Sequence, residues 1–166
     1  MIKYLEINNM LSFNGKHEVV FDKGINVIYG KNSAGKSNVI NILDFFQEVI
    51  SGKFNTLDSF LEHEISENKI SKEEEFGFSV IFEFDNVDYL YDVKFKEFSI
   101  IKESFSTKSK LYFNVENGKY VSGIFSSDNG HAFNNFNLKE KGLMSFLNQF
   151  NSDDSIIKFL EKIKVF

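Results

Sequence analysis

Four residue types are missing from this sequence of 166 residues: cysteine, proline, tryptophan and arginine. Without cysteine the chain forms no disulfide and offers no thiolate to a metal, which is typical of a reducing cytoplasm. Without arginine it supplies no arginine finger to its own site or to another. No apolar run approaches the ~20 residues that cross a membrane, and Met1–Asn14 lacks the features of a signal peptide. We therefore expect a cytoplasmic protein with no membrane partner.

The residues that are present exclude several further classes. The net charge of −5 does not favour direct nucleic-acid binding, so we expect any such partner to be reached only indirectly. His17, His63 and His131 stand alone in the sequence, which argues against a zinc site or a hydrolytic triad. The acidic run Glu73–Glu75 is interpreted as a solvated cluster rather than a metal site, because adjacent side chains do not converge on one ion.

One segment carries the strongest chemical signal. GKNSAGKS at Gly30–Ser37 matches the phosphate-binding pattern G-x-x-x-x-G-K-[ST] at every position. Apolar residues at helical spacing follow it, and three apolar residues precede it. These three predict a buried strand: Ile25, Val27 and Ile28. The strand–loop–helix order favours a true nucleotide-binding loop over a Gly/Ser-rich turn before an ordinary helix.

Each residue type in the motif has a chemical reason. Gly30 permits a turn that a Cβ would obstruct, and Gly35 permits close approach of the backbone to phosphate. Lys36 is expected to reach the β- and γ-phosphates of ATP, and the Ser37 hydroxyl to be a ligand of Mg²⁺. Backbone N–H groups and the helix N-terminus complete the anion site. The predicted contacts are Gly30, Lys31, Asn32, Ser33, Ala34, Gly35, Lys36, Ser37 and Asn38.

The remaining strand signals are antiparallel in character. Ile2–Ile7 and Glu18–Phe21 predict two strands whose link is too short for a crossover helix. Five alternating segments between Phe76 and Ile124 predict a meander, with turns at Asp85–Asn86 and Glu116–Gly118.

Helical signals complete the predicted architecture. A short amphipathic helix is expected around Leu57–Ile65, and two further helices near 138–150 and 154–165. The expected fold class is α/β: a P-loop NTPase lobe with an antiparallel β-subdomain and C-terminal helices. The predicted division is a P-loop core at 1–52, an acidic connector and β-subdomain at 53–125, and a loop with C-terminal helices at 126–166.

The N-terminal motifs resemble a known family. Asn9, Ser12 and Phe13, then Gly24–Asn26, then Gly30–Asn38 are similar to the start of ABC-type AAA-family ATPases of the SMC/RecF/OLD group, most of all those of abortive-infection and other anti-phage systems. The resemblance implies an ATPase lobe followed by a β-subdomain. It also implies that the loop around Ser12 and Phe13 lies near adenine and ribose, although a Phe that covers the sheet edge remains the alternative.

Two elements of a working ATPase of that kind are missing from the sequence. There is no apolar strand that ends in Asp-Glu, the Walker B motif, and no signature loop. The nearest match, Val80–Asp85, is interrupted by Glu83 and ends at a predicted hairpin turn, so we interpret it as a strand end. Gln149 is a weak candidate for a magnesium-sensing glutamine, with a polar residue between helices as the alternative.

The expected function follows from the motif that is present and the two that are missing. The chain is interpreted as the N-terminal, ATP–Mg²⁺-binding lobe of an ATPase, whether truncated, split or engineered, whose catalytic carboxylates come from a second lobe or a partner chain. A homodimer or larger assembly is therefore expected, and the apolar end Ile163–Phe166 favours the same reading. The alternative is a non-enzymatic interaction or assembly module derived from such a lobe. No GTP-selecting N-K-x-D pattern is present.

Overall fold

The structure, a computed structural model, describes residues 1–32, 34–51, 74–97 and 99–123, together with Leu138 and Gly142. Eight elements lie within these residues. In chain order they are β1 (Ile2–Met10), β2 (Phe13–Val20), α1 (Lys36–Ser51), β3 (Phe76–Phe84), β4 (Val87–Lys96), β5 (Ser99–Thr107), β6 (Leu111–Glu116) and β7 (Lys119–Gly123). The described part of the chain is thus mostly β-sheet with one long helix.

All seven strands form one sheet in the order β2-β1-β3-β4-β5-β6-β7. Every neighbouring pair is antiparallel, which confirms both the N-terminal pair and the meander predicted from the sequence. Asp85 and Asn86 turn with φ of 48° and 60°, and Asn117 and Gly118 with φ of 51° and 77°. Two consecutive residues with positive φ are the geometry that suits a two-residue hairpin, so these short turns set the strand register. Because β1 pairs with both β2 and β3, the hairpin and the meander are continuous.

The hydrophobic core lies between α1 and one face of the sheet. Apolar residues at helical spacing put one side of α1 against the strands. Phe46, which is fully buried, is the centre of this contact, and its ring centroid lies 6.2 Å from that of Phe78 and 5.7 Å from that of Tyr91. Tilted and edge-on aromatic pairs at these separations add to the area that they bury. The other buried residues of α1 are Val39, Ile42, Leu43, Phe45, Val49 and Ile50.

The opposite face of the sheet is polar. Lys3 pairs with Glu83 and with Asp88, each at 2.6 Å. Lys102 pairs with Asp92 at 3.0 Å, and the Ser79 hydroxyl donates to the same carboxylate at 2.6 Å. Partly exposed pairs of this kind contribute little individually, up to about 1 kcal/mol, so the sheet depends on its apolar face for stability.

The predicted strand before the phosphate motif is not formed. Residues 21–30 have no regular secondary structure, and Ile25 and Val27 are 94% and 77% exposed. A buried strand needs a hydrogen-bonded neighbour, and the sheet places β1, not this segment, beside β2. The segment has an apolar pattern, but among the described residues no strand pairs with it. The prediction of a buried strand at 25–28 is therefore wrong for this chain.

Several predictions fall outside the described residues. They are the short helix around Leu57–Ile65, the C-terminal helices near 138–150 (apart from Leu138 and Gly142) and 154–165, Ser33 of the phosphate motif, and Gln149.

A buried carboxylate lies in the core face of the meander. Glu103 is fully buried and accepts a hydrogen bond from the Tyr91 hydroxyl at 2.9 Å. Burial first, and then the neighbouring Glu103 charge, raise the pKa of Tyr91 well above its ordinary value, so the phenol stays protonated and keeps donating. Gly142 lies over the same carboxylate: a methyl group placed on it would be 3.0 Å from one Glu103 oxygen.

We predict that Tyr91→Phe lowers the free energy of unfolding by about 1–3 kcal/mol, because it takes a hydrogen-bond donor from a buried acceptor. Urea denaturation followed by circular dichroism measures the change. Tyr29→Phe is the matched control, since that ring is 91% exposed, and its effect should stay within about 0.5 kcal/mol. Equal stabilities of the two variants would contradict the role given to the Tyr91–Glu103 contact.

Candidate functional site

The predicted phosphate motif forms an exposed loop that leads into α1. Gly30, Lys31, Asn32 and Ala34 are exposed, and the first helical residue is Lys36. The loop tightens through a backbone hydrogen bond from Ala34 N to Lys31 O at 3.2 Å. The first turn of α1 contains no acidic residue. The positive end of the helix dipole is therefore not neutralised from within the helix, and it faces the loop.

Lys36 folds back across the loop that precedes it. Its Nζ donates to the backbone oxygen of Gly30 at 2.9 Å and to that of Lys31 at 2.6 Å. These contacts hold an ammonium group at the mouth of the loop. The sequence predicted the charge at this place, but only the structure shows that the carbonyl groups of the loop itself position it.

Ser37 and Asn38 follow on the first turn of α1. Ser37 is exposed, so its hydroxyl is accessible to a ligand. Asn38 has a different arrangement, because its Nδ2 donates to the Ser12 hydroxyl at 2.7 Å. The side chain of Asn38 therefore fastens the helix to the turn between β1 and β2, a role that the motif pattern gives no means of predicting.

The two motif glycines differ in their surroundings. A methyl group on Gly30 would meet nothing closer than the Ala34 Cβ at 3.6 Å, so no neighbouring atom crowds that position. On Gly35, whose φ is +81°, it would lie 2.8 Å from Cζ of Phe13 and 3.1 Å from the Ser12 hydroxyl. Gly35 therefore needs to be glycine both for its backbone conformation and for the ring packed against it.

The turn before the phosphate motif is closed by the side chain of Asn26. The Asn26 Oδ1 accepts from the backbone N–H of Asp22 at 2.8 Å, and its Nδ2 donates to the Asp22 carbonyl at 2.9 Å. This double contact closes the turn that leads towards the loop, as asparagine side chains often do. Asn26 was part of the sequence resemblance, and the structure shows this local role for it.

The Val80–Asp85 segment is a strand end, as interpreted from the sequence. β3 ends at Phe84, and Glu83 is paired with Lys3. The backbone N–H of Glu83 donates to the Met1 carbonyl, so this end of the sheet lies at the start of β1, whereas Ser12 lies just beyond its other end. Eight residue steps along β1 span about 27 Å. These carboxylates are therefore remote from Lys36 and Ser37.

No group of three or more His, Asp or Glu side chains within the described ranges is arranged to hold a metal ion. Of the three histidines, His17 is described: its ring lies 5.2 Å from that of Phe13, and its Nε2 is 2.9 Å from the Asn14 carbonyl oxygen. The described helix is not long and apolar enough to cross a membrane.

One comparison with known proteins identifies a family. A protein-family model described as an AAA domain matches residues 4–165, nearly the whole chain. A comparison with curated proteins finds no match. The match begins in β1, so it includes the sheet as well as the loop.

The contact between Gly35 and Phe13 generates a stability prediction. Gly35→Ala should lower the free energy of unfolding by about 1–3 kcal/mol more than Gly15→Ala, because only the former creates an overpacked contact. Gly15 is the matched control, since its φ is +77° and a methyl group there would meet nothing within 4 Å. Urea denaturation of both variants supplies the difference. If the two substitutions cost the same, backbone strain alone explains Gly35, and the ring contact contributes nothing.

Proposed function

This chain belongs to the AAA domain family, and from that premise we propose that Gly30–Ser37 binds the phosphates of ATP together with Mg²⁺. Membership of the family supports nucleotide binding and an ATPase-type function. The observation that carries the assignment to this loop is the placement of Lys36, at the N-terminus of α1 with its ammonium group on the loop carbonyls. Backbone N–H groups, a helix N-terminus and one cation together suit a polyphosphate.

The residues also fit the magnesium ion that such nucleotides bring with them. Mg²⁺ prefers hard oxygen ligands and keeps several waters, so a single protein hydroxyl beside the phosphates is sufficient. Ser37 is exposed and directly follows Lys36 on the first helical turn. In our proposal the Ser37 hydroxyl is the protein ligand, and the bound ion would neutralise phosphate charge.

We place the chain in the SMC/RecF/OLD group, as an ATPase of an anti-phage defence system. The support is the order of motifs in the sequence: the Ser12–Phe13 turn, the Gly24–Asn26 turn and the complete phosphate motif. Ser12 accepts a hydrogen bond from Asn38, and Phe13 lies against Gly35. Two of these motifs are therefore neighbours in space.

Hydrolysis is proposed to depend on another lobe or chain. Phosphoryl transfer needs carboxylates that hold the metal and orient water, and the strand end at Glu83 and Asp85 is too remote to supply them. A docking surface is available in the exposed apolar segment Ile25–Tyr29, which lies in a groove with the end of β2. A segment with exposed apolar side chains, whose backbone joins no strand among the described residues, is suited to strand addition. We propose that the assembly is a homodimer or larger.

The second candidate is an interaction or assembly module that binds nucleotide without hydrolysing it. The remoteness of Glu83 and Asp85 from the loop favours it as much as it favours a split active site. The two proposals differ in one respect, because only the first gains turnover when a second lobe is added.

We predict that Lys36→Ala weakens ATP–Mg²⁺ binding by about 1.5–3 kcal/mol, because it removes a charge-assisted contact to phosphate. Isothermal titration calorimetry measures the effect. Lys31→Ala is the matched control: it removes the same charge from the same loop and keeps the backbone N–H. Its effect should stay below about 1 kcal/mol, the range of an exposed charge. Equal binding of adenosine and ATP by the natural chain would refute the assignment.

We also predict that the chain alone hydrolyses ATP far more slowly than 1 s⁻¹, the lower end of about 1–100 s⁻¹ for complete phosphoryl-transfer enzymes. The sequence contains no Walker B strand, no signature loop and no arginine, so we expect the groups that stabilise the transition state to come from elsewhere. A coupled assay for released phosphate measures turnover, with Lys36→Ala as the background. Rapid turnover that Lys36→Ala abolishes would show that the catalytic groups are already present.

A further inference from the structure

We infer that Phe13 and Ser12 are positioning residues of the phosphate loop: they hold Gly35 and Asn38, and through them Lys36 and Ser37, and do not themselves contact the nucleotide. The inference rests on the proposed function of Gly30–Ser37. It assigns to the turn between β1 and β2 a role different from the base contact that the sequence resemblance implied.

The ring of Phe13 supplies the first of two contacts. The edge of the ring is turned towards Gly35, because Cζ and Cε1 are its atoms nearest to a methyl group placed there, at 2.8 Å and 3.1 Å. Gly35 is buried and Phe13 is partly buried. The edge of the ring therefore fills the space beneath the loop, and the ring of His17 lies 5.2 Å from that of Phe13, so two neighbours already pack against it.

Ser12 supplies the second contact, through the 2.7 Å hydrogen bond from Asn38 Nδ2 to its hydroxyl. In the sequence, Gly35 and Asn38 stand immediately before and after Lys36 and Ser37. The two proposed ligand-binding residues are therefore bracketed by contacts to one turn. Contacts on both sides of Lys36 and Ser37 restrict the backbone, and the backbone orients the Lys36 ammonium group and the Ser37 hydroxyl.

Several contacts hold the turn between β1 and β2 in one conformation. Asn9 and Leu11 have left-handed backbone conformations, with φ of 47° and 55°. The Asn9 Oδ1 accepts from the backbone N–H of Gly15 at 2.7 Å, and Met10, paired with Phe13 in the sheet, is fully buried. Strained residues persist only where surrounding contacts hold them. The turn is thus a fixed part of the sheet on which the loop rests.

A positioning role and a base contact have different consequences for ligands. A base contact stabilises only ligands that carry a base, whereas a loop held in the correct shape stabilises any polyphosphate. Inorganic tripolyphosphate with Mg²⁺ therefore separates the two, since it offers the phosphates of ATP without adenosine.

The test measures the Kd of ATP and of inorganic tripolyphosphate, each with Mg²⁺, by calorimetry on the full chain. Phe13→Ala and Asn38→Ala should each weaken both ligands by the same factor, about tenfold, the equivalent of one charge-assisted hydrogen bond. Phe13→Tyr should also weaken both, because it adds a hydroxyl to the carbon nearest Gly35. Ser12→Ala combined with Asn38→Ala should cost no more than either alone, because the two residues share one bond.

The control is Tyr112→Ala, another aromatic residue partly buried against the core, which lies in β6 far from the loop in the strand order. It should leave both Kd values unchanged. Thermal unfolding is measured for every variant, and if Phe13→Ala does not fold, Phe13→Tyr and Asn38→Ala decide the outcome.

Three results would overturn the inference. Weaker ATP binding with unchanged tripolyphosphate binding would identify Phe13 as a base contact. Unchanged binding of both ligands in all variants would show that Phe13 only packs over the edge of the sheet. Failure of the natural chain to bind either ligand would instead remove the proposed function, and the positioning role with it.

Discussion

The packing of α1 against one face of the antiparallel sheet is the interaction on which the rest of the structure depends. Phe45 and Phe46 bring aromatic rings from the helix to the rings of Phe78, Phe95 and Tyr91 on the strands. Each buried aromatic side chain contributes about 1.5–3 kcal/mol of transfer free energy. Because this contact fixes the helix, it also fixes the place of its N-terminus, beside the turn between β1 and β2, and the candidate phosphate site forms where the helix begins.

The segment before that site is the place where local pattern and overall structure disagree. Ile25, Val27 and Ile28 have the composition of a buried strand, yet all three are exposed. β2 ends the sheet, and the segment that follows it turns back through the Asn26 contacts without pairing. Exposing several apolar side chains on one segment is unfavourable, which is the physical reason for our proposal that a second lobe or partner chain pairs here.

The absence of arginine shapes the chemistry that the loop can perform. Arginine binds phosphate through a rigid fork, whereas lysine acts as a compact charge on a flexible stem. A lysine therefore needs to be positioned by its surroundings, and Lys36 is held by the carbonyls of Gly30 and Lys31. The Gly35–Phe13 and Asn38–Ser12 contacts restrict the backbone around it. Orientation in this site thus comes from the fold rather than from the geometry of the charged group.

The sequence by itself determined the antiparallel strands, the helix that begins at Lys36 and the turn at Asp85–Asn86, because alternation, helical spacing and turn residues are local properties. It also identified the phosphate motif, whose residue types follow from the chemistry. Only the tertiary structure decided that residues 25–28 stay unpaired, since pairing depends on which strand occupies the neighbouring edge. Likewise, only the fold brought Phe13 against Gly35 and Ser12 against Asn38, residues more than twenty positions apart whose contact no local pattern encodes.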